Sequence, residues 1–305
     1  MTPSIVHALS SANIRNLTDF IAADLENLAL VTGISYKELL ALQQVVLAEY
    51  SAFPTSAADL YGRVVRSAAI LSTGSPRLDQ WLDGGLYTGE MTELVGHSAV
   101  GKTQFCHSTT VAVAKQTKLN VLYIDTSASF SVDRLLAILE PDDEPEADSI
   151  LRRIKCCKVF SIFQMFDVLE ETRQHLINQT DSFYCGLRLI VCDSVSGLVS
   201  PLLGGQQSQG HCVMVHFAQK LKILAHEYFL SVLVTNSLVG GDHGVPTASL
   251  GATWQFVPHN RILLRRENSS SHESRENIRH ATILKSCRQA TGPHNSFTIT
   301  DKGLL

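Results

Sequence analysis

Eight residues, Gly96-His97-Ser98-Ala99-Val100-Gly101-Lys102-Thr103, spell the pattern G-x-x-x-x-G-K-[ST], and they dictate what has to surround them. A loop of this kind functions only between the end of a buried strand and the start of a helix. Met91–Val95 reads as such a strand, and Gln104–Lys115, free of Gly and Pro, as such a helix. The two glycines let the backbone curl until its N–H groups converge on one anion, and the helix dipole adds positive potential there. Lys102 contributes a point charge for the β- and γ-phosphates, and the Thr103 hydroxyl is placed to ligand Mg²⁺. The pattern predicts a triphosphate site; a Gly-rich turn with no ligand is the bland alternative.

At 305 residues the chain has room for one large domain or two modest ones, and 45% apolar against 18% charged residues suffices for a sizeable core. A net charge of -4 excludes a global polycation, so contact with nucleic acid has to come from local patches or from a shared assembly. Seven cysteines occur without a C-x-x-C pair, which fits reduced thiols of a cytosolic or nuclear protein better than a disulfide framework or a zinc site. No basic start followed by an apolar run opens the chain, and no apolar run is long enough to span a bilayer. The sequence therefore predicts neither a secreted nor a membrane protein. No Lys/Arg-rich nuclear signal stands out.

Residues 1–50 read as short helices, with apolar positions at Leu17, Phe20, Ile21, Leu25 and Leu28 and again from Leu39 to Leu47. Between them stands Thr32-Gly33-Ile34-Ser35, and Ser35 three residues before Glu38 is a capping-box signature. The unit is either a helix-hairpin-helix DNA module or a small bundle for protein contacts; Arg15 and Lys37 are its only Lys or Arg up to position 50. Residues 51–66 form a linker region; its first part, Ser51–Ala58, is small and non-periodic, and Phe53 is the one large apolar residue of those eight. Residues 67–305 become α/β. Expected strands are Met91–Val95, Val121–Asp125, Lys158–Phe160, Leu187–Asp193 and Ser231–Thr235, with helices at Val132–Leu139, Ile162–Asn178 and Cys212–Tyr228 between them. That alternation predicts a mostly parallel sheet covered by helices. Arg261–Arg265, Ala281–Lys285 and Ser296–Thr300 read as added antiparallel strands, and the acidic Pro141–Asp148 and Ser-rich Glu267–Glu276 as solvated loops.

A nucleotide site of this type needs a carboxylate at the end of a neighbouring buried strand. Asp193, closing Leu189-Ile190-Val191-Cys192, fits by type and spacing; a plain helix cap is the alternative. The stretch Leu71-Ser72-Thr73-Gly74, Leu78-Asp79, Leu82-Asp83-Gly84-Gly85-Leu86, Gly89-Glu90 and Thr92-Glu93 resembles the core entry of the RecA-like recombinases. Tyr123-Ile124-Asp125-Thr126, Phe130, Asp133-Arg134-Leu135 and Val234-Thr235-Asn236 follow in matching register. Within that family, Ser51-Ala52-Phe53-Pro54, Asp59-Leu60-Tyr61, Phe163-Gln164-Met165 and Ser200 to Gln207 are most similar to the D-type paralogues of the eukaryotic recombinase.

The resemblance implies a RecA-like core that binds ATP and Mg²⁺, with Arg134 stacking on adenine and Phe53 docking on the next protomer. It implies a subunit of a hetero-oligomer with other recombinase paralogues, a C-type and an X-ray-cross-complementing-type paralogue among them. That assembly would act on single-stranded or branched DNA during homologous recombination and double-strand break repair in the nucleus. The two DNA loops of the family correspond to Val199–Gly210 and Ser237–Thr253, which carry no Lys or Arg and only His243 as a titratable base. Arg261, Arg265 and Arg266 are the nearby alternatives for DNA, unless they are solvated strand-edge charges.

Departures from the family decide what kind of site this is. Where active recombinases carry the Glu that positions the attacking water, this chain has Ser127; where they carry a Gln that links the γ-phosphate to the second loop, it has Ser237. Loss of general-base help is worth about 10²–10⁴-fold. In place of an Asp-Ser-Pro cap stands Lys285-Ser286-Cys287-Arg288, and Lys285 could reach a neighbour's phosphates in trans, unless it is a strand-end surface cation. The readings that stand are a weak DNA-stimulated ATPase, a nucleotide-dependent scaffold, and a hexameric RecA-like helicase. The N-terminal helices and aromatic linker argue against the helicase.

Overall fold

Short apolar runs separated by helix start and stop signals fill the first fifty residues, and they fold as those signals dictate. The structure, a computed structural model, describes residues 3–50, 54–140, 144–179, 181–203, 209–240, 246–266 and 277–305. Helices α1 (Pro3–Ser11), α2 (Leu17–Ala22), α3 (Leu25–Thr32) and α4 (Tyr36–Tyr50) pack around Leu9, Phe20, Leu25, Leu28, Leu39 and Val46. Asn16 caps α2 by accepting from the Asp19 N–H at 2.7 Å. Gly33 closes α3 in the left-handed region at φ +70°. The capping box forms as read: Ser35 Oγ accepts from the Glu38 N–H at 3.3 Å, and Glu38 Oε2 accepts from the Ser35 N–H at 3.2 Å.

The chain divides into two compact units, one ending at Arg63 and one beginning at Val64, within helix α5 (Ala57–Ser67). Phe53 lies outside the described residues. In the second unit β1 (Ile70–Leu71), α6 (Pro76–Trp81) and β2 (Leu86–Tyr87) lead into the alternating core. The core runs β3 (Met91–Gly96), α7 (Lys102–Gln116), β4 (Asn120–Asp125), α8 (Val132–Leu139), α9 (Glu144–Leu151), β5 (Ile154–Lys158), α10 (Ile162–Asn178), α11 (Ser182–Cys185) and β6 (Leu187–Asp193). It continues with α12 (Val195–Val199), α13 (Gln209–Glu227), β7 (Ser231–Gly240), β8 (Pro246–Ala248), α14 (Gly251–Gln255), β9 (Asn260–Arg266), β10 (Ile278–Lys285), β11 (His294–Thr300) and β12 (Gly303–Leu304).

The large sheet has the order β12-β11-β10-β9-β3-β7-β6-β4-β5, with β8 paired on β7. From β9 to β5 every pairing is parallel, and β9 to β12 are antiparallel. Both faces are covered, which is why the strands read as unbroken apolar runs. Along β6, Ile190 and Cys192 join α10 and α13 on one face, while Leu189 and Val191 join α6 and α7 on the other. The mostly parallel sheet and the antiparallel β10 and β11 are as the sequence predicts; β9, expected with the antiparallel additions, lies parallel to β3 and is antiparallel only to β10. No described helix is long and apolar enough to cross a membrane.

Some elements differ from the sequence reading. The strand expected at Lys158–Phe160 lies earlier, at Ile154–Lys158, because its place is set by pairing with β4, from Val121↔Ile154 to Asp125↔Lys158. The acidic stretch expected as a solvated loop becomes α9 from Glu144 onward, with residues 141–143 outside the described residues. Glu144 and Glu146 occupy its first turn, where the helix dipole favours them, and Ala147 and Ile150 bury against Leu135 and Leu139. The helix expected at Cys212–Tyr228 spans Gln209–Glu227, and the strand expected at Ser231–Thr235 runs on to Gly240 by pairing with β8. The Ser-rich stretch 267–276 and His243 lie outside the described residues.

A buried charge ties the middle of the sheet together. Glu93 on β3, fully buried, accepts from Asn236 Nδ2 at 2.7 Å, Trp254 Nε1 at 2.8 Å and Arg261 Nε at 2.5 Å. The Arg261 side chain is itself 9% exposed. Removing one partner of such a pair strands the other charge, so Arg261→Ala should cost about 3–5 kcal/mol in urea unfolding. Replacing Glu93 and Arg261 together by apolar residues should recover most of it.

One buried and one half-buried imidazole give the fold an acid limit. His259 Nδ1 accepts from the Met91 N–H at 2.9 Å, and His107 packs at ring distances of 5.6 Å from Tyr123 and 5.8 Å from Phe130. Burial, chiefly, holds both below the ordinary histidine value. Below about pH 6.5 the unfolded chain takes up protons that the folded chain refuses, so stability falls as pH drops. His107→Leu and His259→Asn should each flatten the loss of melting temperature between about pH 7 and 5.

Candidate functional site

The phosphate loop is shaped by places where a side chain has no room. β3 ends at Gly96, where an added Cβ would lie 2.6 Å from Val100 Cγ1 and 2.8 Å from the Leu264 carbonyl oxygen of β9. Gly101 precedes α7 at φ +105°, and its Cβ would lie 2.4 Å from Ile299 Cδ1. With Ala99 also left-handed at φ +59°, the loop turns tightly, and α7 starts with no side-chain cap on its first N–H groups. An uncapped N-terminus behind a glycine cradle suits an anion.

Around the loop opens a cleft of about 440 Å³ lined by Ser98, Lys102, Thr103, Ser127, Asp193 and Arg279, among others. Lys102 lies across the loop, its Nζ donating to the carbonyls of Gly96 at 2.7 Å and His97 at 2.8 Å. Partial burial lowers its pKa, opposed by the nearby Asp193 carboxylate. Asp193, 4% exposed, ends β6 and accepts from Thr103 Oγ1 at 2.7 Å, Tyr123 OH at 3.0 Å and Thr235 Oγ1 at 2.5 Å. The predicted metal pair, Thr103 and Asp193, is thus brought together across ninety residues of sequence.

The residues fit a nucleotide with a hard divalent cation. Oxygen donors from one hydroxyl and one carboxylate are what Mg²⁺ takes when substrate phosphates and water complete its shell. Among the described residues no group of three or more His, Cys, Asp or Glu could hold a metal by itself. Burial pushes the Cys192 thiol up to about 12, and Cys106 up as well, so neither is a thiolate ligand.

Other predicted residues fall as follows. Ser127 is exposed at the cleft edge, its Oγ donating to Ser129 Oγ at 2.9 Å. Asp125, at the end of β4, accepts from the N–H groups of Ser127, Ser129 and Phe130 and so is spent on shaping that turn. Ser237 lines the cleft and accepts from Ser196 Oγ at 3.3 Å. Arg134 donates to Gln104 Oε1, Asp301 O and Thr300 O, each at 2.6 Å, joining α8 to α7 and the β11–β12 turn. Lys285 donates to the carbonyls of Gln255 and Phe256 at 3.2 Å each, capping the end of α14, and is not among the residues lining the phosphate cleft. Arg261 is committed to Glu93, whereas Arg265 and Arg266 are exposed. They line, with His97 and Ser98, a second cleft of about 720 Å³ that shares Ser98 and Ala99 with the first.

Arg279 is the cleft residue that sequence reasoning missed. It lies on β10, 8% exposed, and its Nε donates to the Val100 carbonyl of the loop at 3.0 Å. Nothing local marks it, since β10 reaches the loop only by pairing with β9. Tyr123 and Thr235 were missed as partners of Asp193; a hydroxyl inside an otherwise apolar strand is the available signal for each.

Fold and site define a RecA-like protein with a phosphate-binding loop. The chain belongs to the Rad51 family, whose model matches residues 65–261, and the model of the RAD51D N-terminal domain matches residues 1–49. It is 43% identical to DNA repair protein RAD51 homolog 4 of Bos taurus over 99% of this chain and 93% of that one, and 42% identical to the Mus musculus counterpart over the same shares. It is also similar to the DNA repair and recombination protein RadA of Metallosphaera sedula, at 29% identity over 77% of this chain and 71% of that one. The family and its D-type branch, drawn from the motifs, are borne out.

The glycine geometry yields a direct test. Gly96→Ala drives a Cβ into the backbone of β9, which cannot turn aside. It should lower stability by about 1–3 kcal/mol and abolish binding of a fluorescent ATP analogue, measured by melting and by titration.

Proposed function

We propose that this chain binds ATP·Mg²⁺ and serves as a subunit of a hetero-oligomeric complex of recombinase paralogues. That complex supports homologous recombination and double-strand break repair on single-stranded or branched DNA in the nucleus. Gly96 to Thr103 hold the phosphates, Thr103 and Asp193 the cation, and Arg134 offers the base its guanidinium face, since its edges are spent on Gln104, Thr300 and Asp301. Arg279 braces the loop beside the phosphates. The family and the similarity to DNA repair proteins support this role.

One observation separates binding from turnover. Among the described residues lining the phosphate cleft, Asp193 is the only carboxylate, it already accepts three hydroxyls, and no imidazole joins it. The cleft is lined instead by the hydroxyls of Ser98, Ser127, Ser194 and Ser237, which at neutral pH accept protons poorly. ATP is therefore a long-lived structural ligand here, and slow hydrolysis is a secondary property.

Purified full-length chain should bind a fluorescent ATP analogue with Mg²⁺, and Lys102→Ala should remove that binding. Single-turnover hydrolysis should run about 10²–10⁴-fold below that of a recombinase with the catalytic Glu, with or without single-stranded DNA, and Ser127→Glu should raise it. DNA-stimulated turnover at a recombinase's rate, abolished by Lys102→Arg, would replace the scaffold reading with the ATPase one.

A further inference from the structure

The three donors on Asp193 are not equivalent. Thr103 comes from the start of α7 and lines the cleft, so its hydroxyl is the one that exchanges the carboxylate for a cation. Tyr123 and Thr235 come from β4 and β7, the two strands that flank β6 in the sheet, and neither lines the cleft. Tyr123 is fully buried, and its hydroxyl donates to Oδ2, the oxygen Thr103 also uses, while Thr235 donates to Oδ1. When Thr103 turns away, one strand-borne donor remains on each carboxylate oxygen.

The Tyr123 ring has a second contact. It packs on Phe130 at 4.8 Å, and Phe130 leads directly to Ser131, whose Oγ caps α8 by accepting from the Arg134 N–H at 3.1 Å. Arg134 in turn grips the β11–β12 turn and Gln104 at the cleft wall. One side chain is therefore hydrogen-bonded to the metal-side carboxylate and packed against the segment that carries Arg134.

We infer that Tyr123 is a positioning residue with two separable parts: its hydroxyl orients Asp193 for the divalent cation, and its ring, through Phe130, sets the loop and helix that carry Arg134. It touches neither nucleotide nor metal. The inference rests on the ATP·Mg²⁺ reading. Loss of an outer donor to a metal ligand costs about 10–100-fold in metal affinity.

The test titrates Mg²⁺ against full-length chain and a fluorescent ATP analogue, with parallel binding and melting in EDTA. Tyr123→Phe keeps the ring and should raise the Mg²⁺ midpoint at least about tenfold with metal-free nucleotide affinity unmoved, while the melting temperature in EDTA falls because a buried carboxylate loses a donor. Thr235→Val should raise the midpoint likewise. Phe130→Leu should weaken binding equally with and without Mg²⁺ and leave the midpoint in place. An unchanged midpoint in Tyr123→Phe, or a metal-free loss as large as the metal-dependent one, overturns the hydroxyl's role; unaltered metal-free affinity in Phe130→Leu overturns the ring's. Wild-type chain that binds no ATP analogue at saturating Mg²⁺ overturns the underlying reading instead, an outcome distinct from normal wild-type binding with an inert Tyr123.

Discussion

A carboxylate withdrawn from water has to be surrounded by donors, and at Asp193 that requirement organises the site. The hydroxyls that reach it belong to α7, β4 and β7, so satisfying one buried charge fixes the loop helix and both neighbours of β6 relative to one another. Glu93 plays the same part deeper in the sheet, where Asn236, Trp254 and Arg261 converge on β3 from β7, α14 and β9. The phosphate loop is thus suspended from strands whose relative positions are set by two buried acids. Apolar packing on both faces supplies the bulk of the burial; the acids supply the registry.

The same economy of donors bears on chemistry. A hydrolytic site needs an acceptor poised for water's proton, yet the acids near the phosphates are occupied: Asp193 by three hydroxyls, Asp125 by the N–H groups of its own turn. What faces the cleft is a set of serine hydroxyls around Lys102 and Thr103. Such a surface orders a charged ligand well and accepts a proton poorly. The proposed role of the nucleotide as a structural ligand rests on these surroundings.

Much of this was legible along the chain because the signals are local. The Ser35–Glu38 capping box, the Gly33 stop, helices Val132–Leu139 and Ile162–Asn178 and strand Leu187–Asp193 depend on neighbours within a turn or two. Where the reading missed, a distant strand or helix had the deciding contact. β5 lies at Ile154–Lys158 because β4 pairs with it there, although Ile-Lys-Cys-Cys-Lys has no alternation to announce a strand. α9 forms in an acidic stretch because Leu135 and Leu139 offer Ala147 and Ile150 a place to bury. Arg261, read either as a DNA contact or as a solvated strand-edge charge, is drawn inside by Glu93.

The sequence by itself determined that this chain makes a phosphate loop, that Thr103 and Asp193 have the residue types a cation pair needs, and that Ser127 stands where the family carries a base. Each of these is a matter of residue type at a fixed offset within one strand, loop or helix. Only the tertiary structure decided which hydroxyls hold Asp193, that Arg279 braces the loop from β10, and that Arg134 is gripped by the β11–β12 turn. Those partners lie between 42 and 179 positions away, brought near by sheet order and by helices folding back across it. No local pattern encodes such a meeting, because buried polar atoms choose partners by position in space.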